Sequence, residues 1–257
     1  MLLRASIALS IFLLLVDTIS ALPAKQVDGD SSVTGTGPNV SVSTLLSAVG
    51  TPYCMKPCIG TLAFTIKKVL TLNETTERLK DLCSEYSESK ECLDKRKWCR
   101  LRNVFDAVTS GIEHACITKR AEYNKVEECL KKNLDGILQN CDSSCNVRSE
   151  LAKLSTAQPI KTAALVNGNL VMVAKQVAPF CTAVKCGLPC VMKAANAVCP
   201  NSGTLMIDSV LQPFDKAAAL YEKASQVVKK MARDYLTDEC LTLIDAKKLT
   251  EMRKGKF

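Results

Sequence analysis

The run Val177-Ala-Pro-Phe180-Cys181-Thr-Ala-Val184-Lys-Cys186-Gly-Leu188-Pro-Cys190-Val191-Met192 decides the fold of this chain. Its apolar side chains recur every three or four residues, the period of one face of an α-helix. Cys181 lies in register with that face. A cysteine on a core face points at a neighbouring helix, and a disulfide needs its two Cα atoms within about 7 Å. The stretch therefore reads as a helix stapled to its partners. The same period runs through Leu62, Ile66 and Val69, and through Leu101, Val104, Phe105, Val108, Ile112 and Cys116. It returns in Tyr123, Val126, Leu130, Leu134, Ile137 and Cys141. From Leu205 to Leu236 apolar residues again keep this spacing, with a bend expected at Pro213. Strand-like alternation is scarce. The expected fold class is all-α: a disulfide-stapled helical bundle with a disordered N-terminal segment.

The 257 residues hold 14 cysteines. They are Cys54, Cys58, Cys83, Cys92, Cys99, Cys116, Cys129, Cys141, Cys145, Cys181, Cys186, Cys190, Cys199 and Cys240. In an oxidising compartment this even number implies up to seven disulfides. Three pairs, Cys54 with Cys58, Cys141 with Cys145 and Cys186 with Cys190, stand at i and i+4. Such a pair shares one helix face and can reach one partner helix as two rungs a turn apart. Which cysteine joins which is not readable from spacing. The same spacing suits zinc, but His114 is the only histidine and oxidation removes thiolates, so no metal and no cofactor is expected. His114 and Cys116 are two residues apart and diverge on a helix, so they form no nucleophile–base pair. No Gly-x-Ser-x-Gly, His-Glu-x-x-His or Gly-rich phosphate loop is present, and no enzymatic activity is expected.

Outward from the cysteine-bearing region, residues 1–21 read as a secretory signal peptide. Arg4 precedes an apolar run from Ile7 to Val16, and Ile19-Ser20-Ala21 supplies a cleavage site. Residues 22–50 lack cysteine and read as a flexible Ser/Thr/Gly-rich stalk, with Ser31, Ser32, Thr34 and Thr36 as candidate O-glycosylation positions. Residues 51–257 form the cysteine-rich helical domain, with two candidate sub-units at 51–146 and 147–257. Ala163 to Ala174 is too short for a membrane span and is interrupted by Asn167, Gly168 and Asn169. The expected location is secreted and extracellular. Two sequons, at Asn39 and Asn73, mark candidate N-glycans.

The net charge is +8. Lys90, Lys95, Arg96, Lys97, Arg100 and Arg102 cluster around Trp98, and the C-terminus adds Lys247, Lys248, Arg253, Lys254 and Lys256. A solvated face is the simpler reading of both clusters. The functional one is contact with a polyanion such as a sulfated polysaccharide, through Lys95, Arg96, Lys97, Arg100, Arg253, Lys254 and Lys256. Aromatic content of 5% supplies few stacking platforms, so nucleic acid is not an expected partner. The two Ser-Gly dipeptides make Ser110 and Ser202 candidate glycosaminoglycan attachment sites; a helix-surface serine and an N-cap serine are the simpler readings.

The cysteine framework resembles the nematode chondroitin proteoglycan 4 family. The resemblance rests on Cys54-x3-Cys58, Leu82-Cys83-x2-Tyr86-x5-Cys92-x6-Cys99 and Val104-Phe105-Asp106-x2-Thr109-Ser110-Gly111-Ile112-x3-Cys116. It continues in Leu188-Pro189-Cys190, Val198-Cys199-Pro200-x2-Gly203, Leu211-x-Pro213-Phe214 and Tyr235-Leu236-x3-Cys240. It covers roughly residues 51–245. The resemblance implies a secreted structural or interaction protein of the extracellular matrix or eggshell, with matrix proteins or sulfated polysaccharides as partners. Some members carry chondroitin on serines in Ser-Gly contexts; an extended acidic Ser-Gly stalk is missing here. The alternative is a secreted helical binding module, with a basic surface for sulfated polysaccharide or an interhelical cavity for lipid.

Overall fold

A computed structural model describes residues 40–70, 72, 74–99 and 102–257. The expected signal peptide, most of the stalk, both sequon asparagines and Arg100 lie outside the described residues. Among the described residues the secondary structure is helical, with no strand. The helices are α1 (Val42–Ala48), α2 (Lys56–Val69), α3 (Thr75–Lys95), α4 (Arg102–Val108) and α5 (Ser110–Glu113), then a π-helical turn (His114–Thr118). They continue as α6 (Arg120–Cys145), α7 (Val147–Thr156), α8 (Gln158–Leu165), α9 (Leu170–Ala174) and α10 (Ala178–Val198). The chain closes with α11 (Ser202–Glu222), α12 (Gln226–Tyr235), α13 (Asp238–Thr242) and α14 (Ala246–Arg253).

Local chemistry sets many of these boundaries. Pro57, Pro159 and Pro179 occupy the first turns of α2, α8 and α10, where a missing N–H costs nothing. Asn169 caps α9, Ser225 caps α12, and Asp245 accepts from the N–H groups of Lys247 and Lys248 at the start of α14. Asn146 and Asn201 take φ of 59° and 66°, the left-handed region that asparagine tolerates, and turn the chain from α6 to α7 and from α10 to α11. The N-terminus of α3 is capped from a distance: Asp135 on α6 accepts from the N–H of Glu74 at 2.8 Å and of Thr75 at 3.0 Å.

Two antiparallel helix pairs carry the disulfide framework. Cys58–Cys92 and Cys54–Cys99 join α2 and the turn before it to α3 and the turn after it. Cys145–Cys186, Cys141–Cys190 and Cys129–Cys199 form three rungs between α6 and the antiparallel α10 and its C-cap. Cys83–Cys116 ties α3 to the π-helical turn, and Cys181–Cys240 ties α10 to α13. All 14 cysteines are paired. The i, i+4 pairs do act as successive rungs: Cys141 and Cys145 bond to Cys190 and Cys186 in reverse order, as antiparallel helices require.

Three expectations change. The stalk was expected to reach residue 50, yet residues 42–48 form α1, whose Leu45 and Ala48 are fully buried. α1 packs on α8 and α7, with the Ser41 N–H bonded to Ser155 Oγ and the Asn169 N–H to the Ala48 carbonyl. Its apolar run was masked by the Ser/Thr/Gly composition around it. Second, the halves divided at residue 146 share one continuous core and are joined by three of the seven disulfides. Third, two expected long helices are broken. The Leu101–Cys116 stripe divides into α4, α5 and the π turn, with Thr109 Oγ1 donating to the Phe105 carbonyl at the break. The Leu205–Leu236 stripe runs through Pro213 but stops at Glu222, where Ser225 begins the next helix.

Candidate functional site

The surface positions singled out by sequence fall into three groups: attachment serines, basic clusters and the lone histidine. Ser202 is fully buried at the start of α11, and its Oγ donates to the carbonyls of Cys199 at 2.7 Å and Ala195 at 3.2 Å. Ser110 is buried at the start of α5, with its Oγ bonded to the Ala107 carbonyl at 2.7 Å. A polysaccharide chain cannot leave either oxygen without unpacking a helix, so both candidate attachment sites are corrected to structural serines.

The glycines that follow explain the dipeptides. A Cβ on Gly203 would lie 2.2 Å from the Met192 carbonyl oxygen, and one on Gly111 would lie 2.6 Å from the Ser209 carbonyl oxygen. Both glycines let backbones cross at a distance no other residue permits. The second crossing meets a particular carbonyl. Residue 213 is proline and has no N–H, so Ser209 O lacks its usual partner one turn on. Tyr123 closes the same region: its hydroxyl lies 2.9 Å from Ser209 Oγ and 3.2 Å from the Leu205 carbonyl. Burial pushes this phenol up to about 12, against the lowering effect of the Ser209 bond.

The basic clusters divide on inspection. Arg253 was expected to face a polyanion. Instead its guanidinium is half-buried and spans two carboxylates of α11, with Nε 2.7 Å from Asp208 Oδ1 and Nη1 3.1 Å from Asp215 Oδ1. It is an internal clamp for α14, and that expectation is corrected. Lys95 pairs with Glu91 at 2.7 Å. Lys97, Lys254 and Lys256 are exposed, Arg96 is partly so, and Arg100 lies outside the described residues.

His114 enters the same clamp. Its Nε2 lies 3.0 Å from Asp208 Oδ2, while Cys116 turns the other way to Cys83. Burial raises the Asp208 carboxyl, but bonds and charge from Arg253 and His114 outweigh it, and the net result is below the ordinary carboxylate value. His114, Asp208, Arg253 and Asp215 thus link the π turn, α11 and α14. Among the described residues no group of three His, Cys, Asp or Glu side chains could hold a metal ion, and no helix is long and apolar enough to cross a membrane.

One surface escaped the sequence reading. Tyr53 and Phe64 are exposed beside Lys56, Lys67 and Lys68, on and just before α2. The legible signal was the absence of Asp and Glu from residues 50–73.

A family model described as Chondroitin proteoglycan 4 matches residues 43–242. The match starts inside α1, in keeping with a folded unit that begins before Thr51. Two curated relatives, each named "Chondroitin proteoglycan 4", match over 98 residues: one from Caenorhabditis elegans at 21% identity and one from Caenorhabditis briggsae at 24%. The aligned part is 37% of this chain but 12% and 14% of those relatives, so the chain spans only about an eighth of their length. No solved structure matches it. With the family model covering α1 through α13, the chain belongs to the chondroitin proteoglycan 4 family.

Proposed function

We propose that this chain is a secreted, non-enzymatic structural protein of an extracellular matrix, a rigid helical body whose outer faces make the contacts. The observation that carries this reading is the pairing of all 14 cysteines into a framework that spans the domain. Such a set forms and persists in an oxidising compartment, and a body cross-linked this densely suits a load-bearing or scaffolding role. Membership of a family named for chondroitin proteoglycans supports an extracellular setting.

Burial of Ser110 and Ser202 bears on the proteoglycan property. Any chondroitin on this chain is expected at a position other than its two Ser-Gly dipeptides, in a segment that leaves a serine open to the transferase. The test is intact-mass and peptide mass spectrometry of the protein secreted from a eukaryotic host. Samples are compared with and without chondroitinase, N-glycosidase and reduction. The expected result is cleavage after Ala21, seven disulfides, and unmodified peptides around Ser110 and Ser202. Retention inside the cell, or several free thiols, would overturn the secreted scaffold. Chondroitin on Ser202 would overturn the assignment of its packing role.

A further inference from the structure

The outward side of α2 carries an arrangement that the core does not use. Tyr53, Trp98 and Phe64 are 83%, 67% and 58% exposed, three of the four exposed aromatic side chains among the described residues. Two tight turns hold the first two. One is closed by the Met55 N–H on the Pro52 carbonyl, the other by the Cys99 N–H on the Arg96 carbonyl, both at 2.9 Å. The Cys54–Cys99 disulfide clamps the turns together with its Cα atoms 5.7 Å apart. Consecutive Cα atoms are about 3.8 Å apart, so those of Tyr53 and Trp98 lie within about 13 Å of each other. Pro57, Thr61 and Phe64 then follow at helical spacing along the exposed face of α2, which rises about 1.5 Å per residue. The result is a strip of about 15 Å running from the clamped turns to Phe64.

The charge on this strip has one dominant sign. Residues 50–73 hold three lysines and no acid. Lys56 Nζ lies 5.8 Å from the Tyr53 ring centroid, and Lys68 Nζ lies 4.6 Å from that of Phe64. Lys97, beside Trp98, has no carboxylate partner among the described residues. Of the nearby acids on α3, Glu91 is already held by Lys95. The Tyr53 and Phe64 rings therefore each have a cation within about the 6 Å over which ring and ammonium attract, and exposed Lys97 adjoins Trp98 in the chain.

We propose that this strip binds an extended anionic polysaccharide. The C–H faces of its sugars lie on Tyr53, Trp98 and Phe64, and its carboxylate or sulfate groups meet Lys56, Lys67 and Lys97. An acidic sugar carries an apolar face and a charged edge within a few ångströms, which is the pairing the surface offers. A lipid surface makes a different demand: a continuous apolar face that sinks below its flanking cations. Here Thr61 interrupts the apolar residues, and the ammonium groups lie over the rings. The proposal goes beyond the scaffold reading and does not depend on it, since a non-covalent glycan contact is separate from any covalently attached chain.

Trp98 is the only tryptophan, so its fluorescence reports this site directly. The experiment titrates the secreted full-length protein, pretreated with chondroitinase, with a size-defined chondroitin sulfate oligosaccharide. The expected result is a saturable change in emission that weakens as salt is added and is absent with neutral dextran. The Tyr53→Ala/Phe64→Ala variant keeps the reporter and should bind about tenfold more weakly at unchanged Tm. Lys67→Gln/Lys97→Gln should lose affinity and much of the salt dependence. Unchanged Trp98 emission in the wild type would overturn the proposal whatever the variants do. So would wild-type affinity in the aromatic variant, which would place binding elsewhere, or equal response to dextran. A stronger response to phosphatidylserine vesicles than to the oligosaccharide would make the strip a membrane face instead.

Discussion

At the scale of single residues, the Ser-Gly dipeptides show how a motif can carry one meaning in sequence and another in space. Gly203 and Gly111 are needed because backbone oxygens of Met192 and Ser209 stand where a Cβ would go. Gly203→Ala must move backbone, and overpacking of this kind costs about 1–3 kcal/mol. Guanidinium unfolding of the oxidised protein should show that loss, whereas Gly136→Ala, where a Cβ meets nothing within 4 Å, should stabilise slightly. Asp208 supports a second prediction. Its folded carboxyl lies below the ordinary value, so its stabilising contribution is complete above the unfolded pKa of about 3.9. That contribution is lost as pH falls through the lower folded value. Protection of the α14 amides, taken relative to the intrinsic exchange rate at each pH, should therefore fall below about pH 4, and Asp208→Asn should remove that acid dependence. Protection factors that stayed constant into strong acid would show that the clamp does not hold the helix.

At the scale of elements, the α6–α10 ladder makes its own prediction. Cys141–Cys190 and Cys145–Cys186 join the same two helices one turn apart. With either bridge in place, the other closes a loop of only about ten residues, worth about 2.5–3 kcal/mol in the chain-entropy model. Once one is gone, the remaining bridge closes a loop of about 20–30 residues through Cys129–Cys199 and is worth about 3.5 kcal/mol. Cysteine-to-serine pairs removing one, the other and both should therefore show a double loss larger than the sum of the single losses. Strict additivity would mean that the rungs do not share a loop. The i, i+4 spacing was legible as a two-rung device. Its partners were not, because spacing says which face a cysteine occupies and nothing about which helix lies opposite.

At the scale of the whole molecule, the seven disulfides and the single main core make one body of what composition had divided. The clearest case is α1, which composition had assigned to a stalk. A chain begun at Thr51 would lose the buried side chains of Val42, Leu45, Leu46 and Val49 and uncover their bed on α7 and α8. Full burial of a Val or Leu is worth about 1.5–3 kcal/mol, so the truncation should cost more than about 4 kcal/mol and lower Tm accordingly. A chain begun at Thr51 with unchanged Tm would return α1 to the stalk.

The sequence by itself determined the fold class and the covalent character. Apolar residues at helical spacing require helices with a buried face, and cysteines in register with those faces require partners across the core. The family resemblance was legible in the same framework. Tertiary structure alone decided which cysteines pair, why Ser110 and Ser202 are followed by glycine, and that Arg253 faces inward rather than out. It also decided where the exposed aromatics gather. Tyr53 and Trp98 are 45 residues apart in the chain, and the Cys54–Cys99 bridge between their neighbours brings their Cα atoms within about 13 Å. The physical reason is common to all four. Periodicity reports the direction of a side chain relative to its own helix axis, whereas a contact depends on what another helix places there.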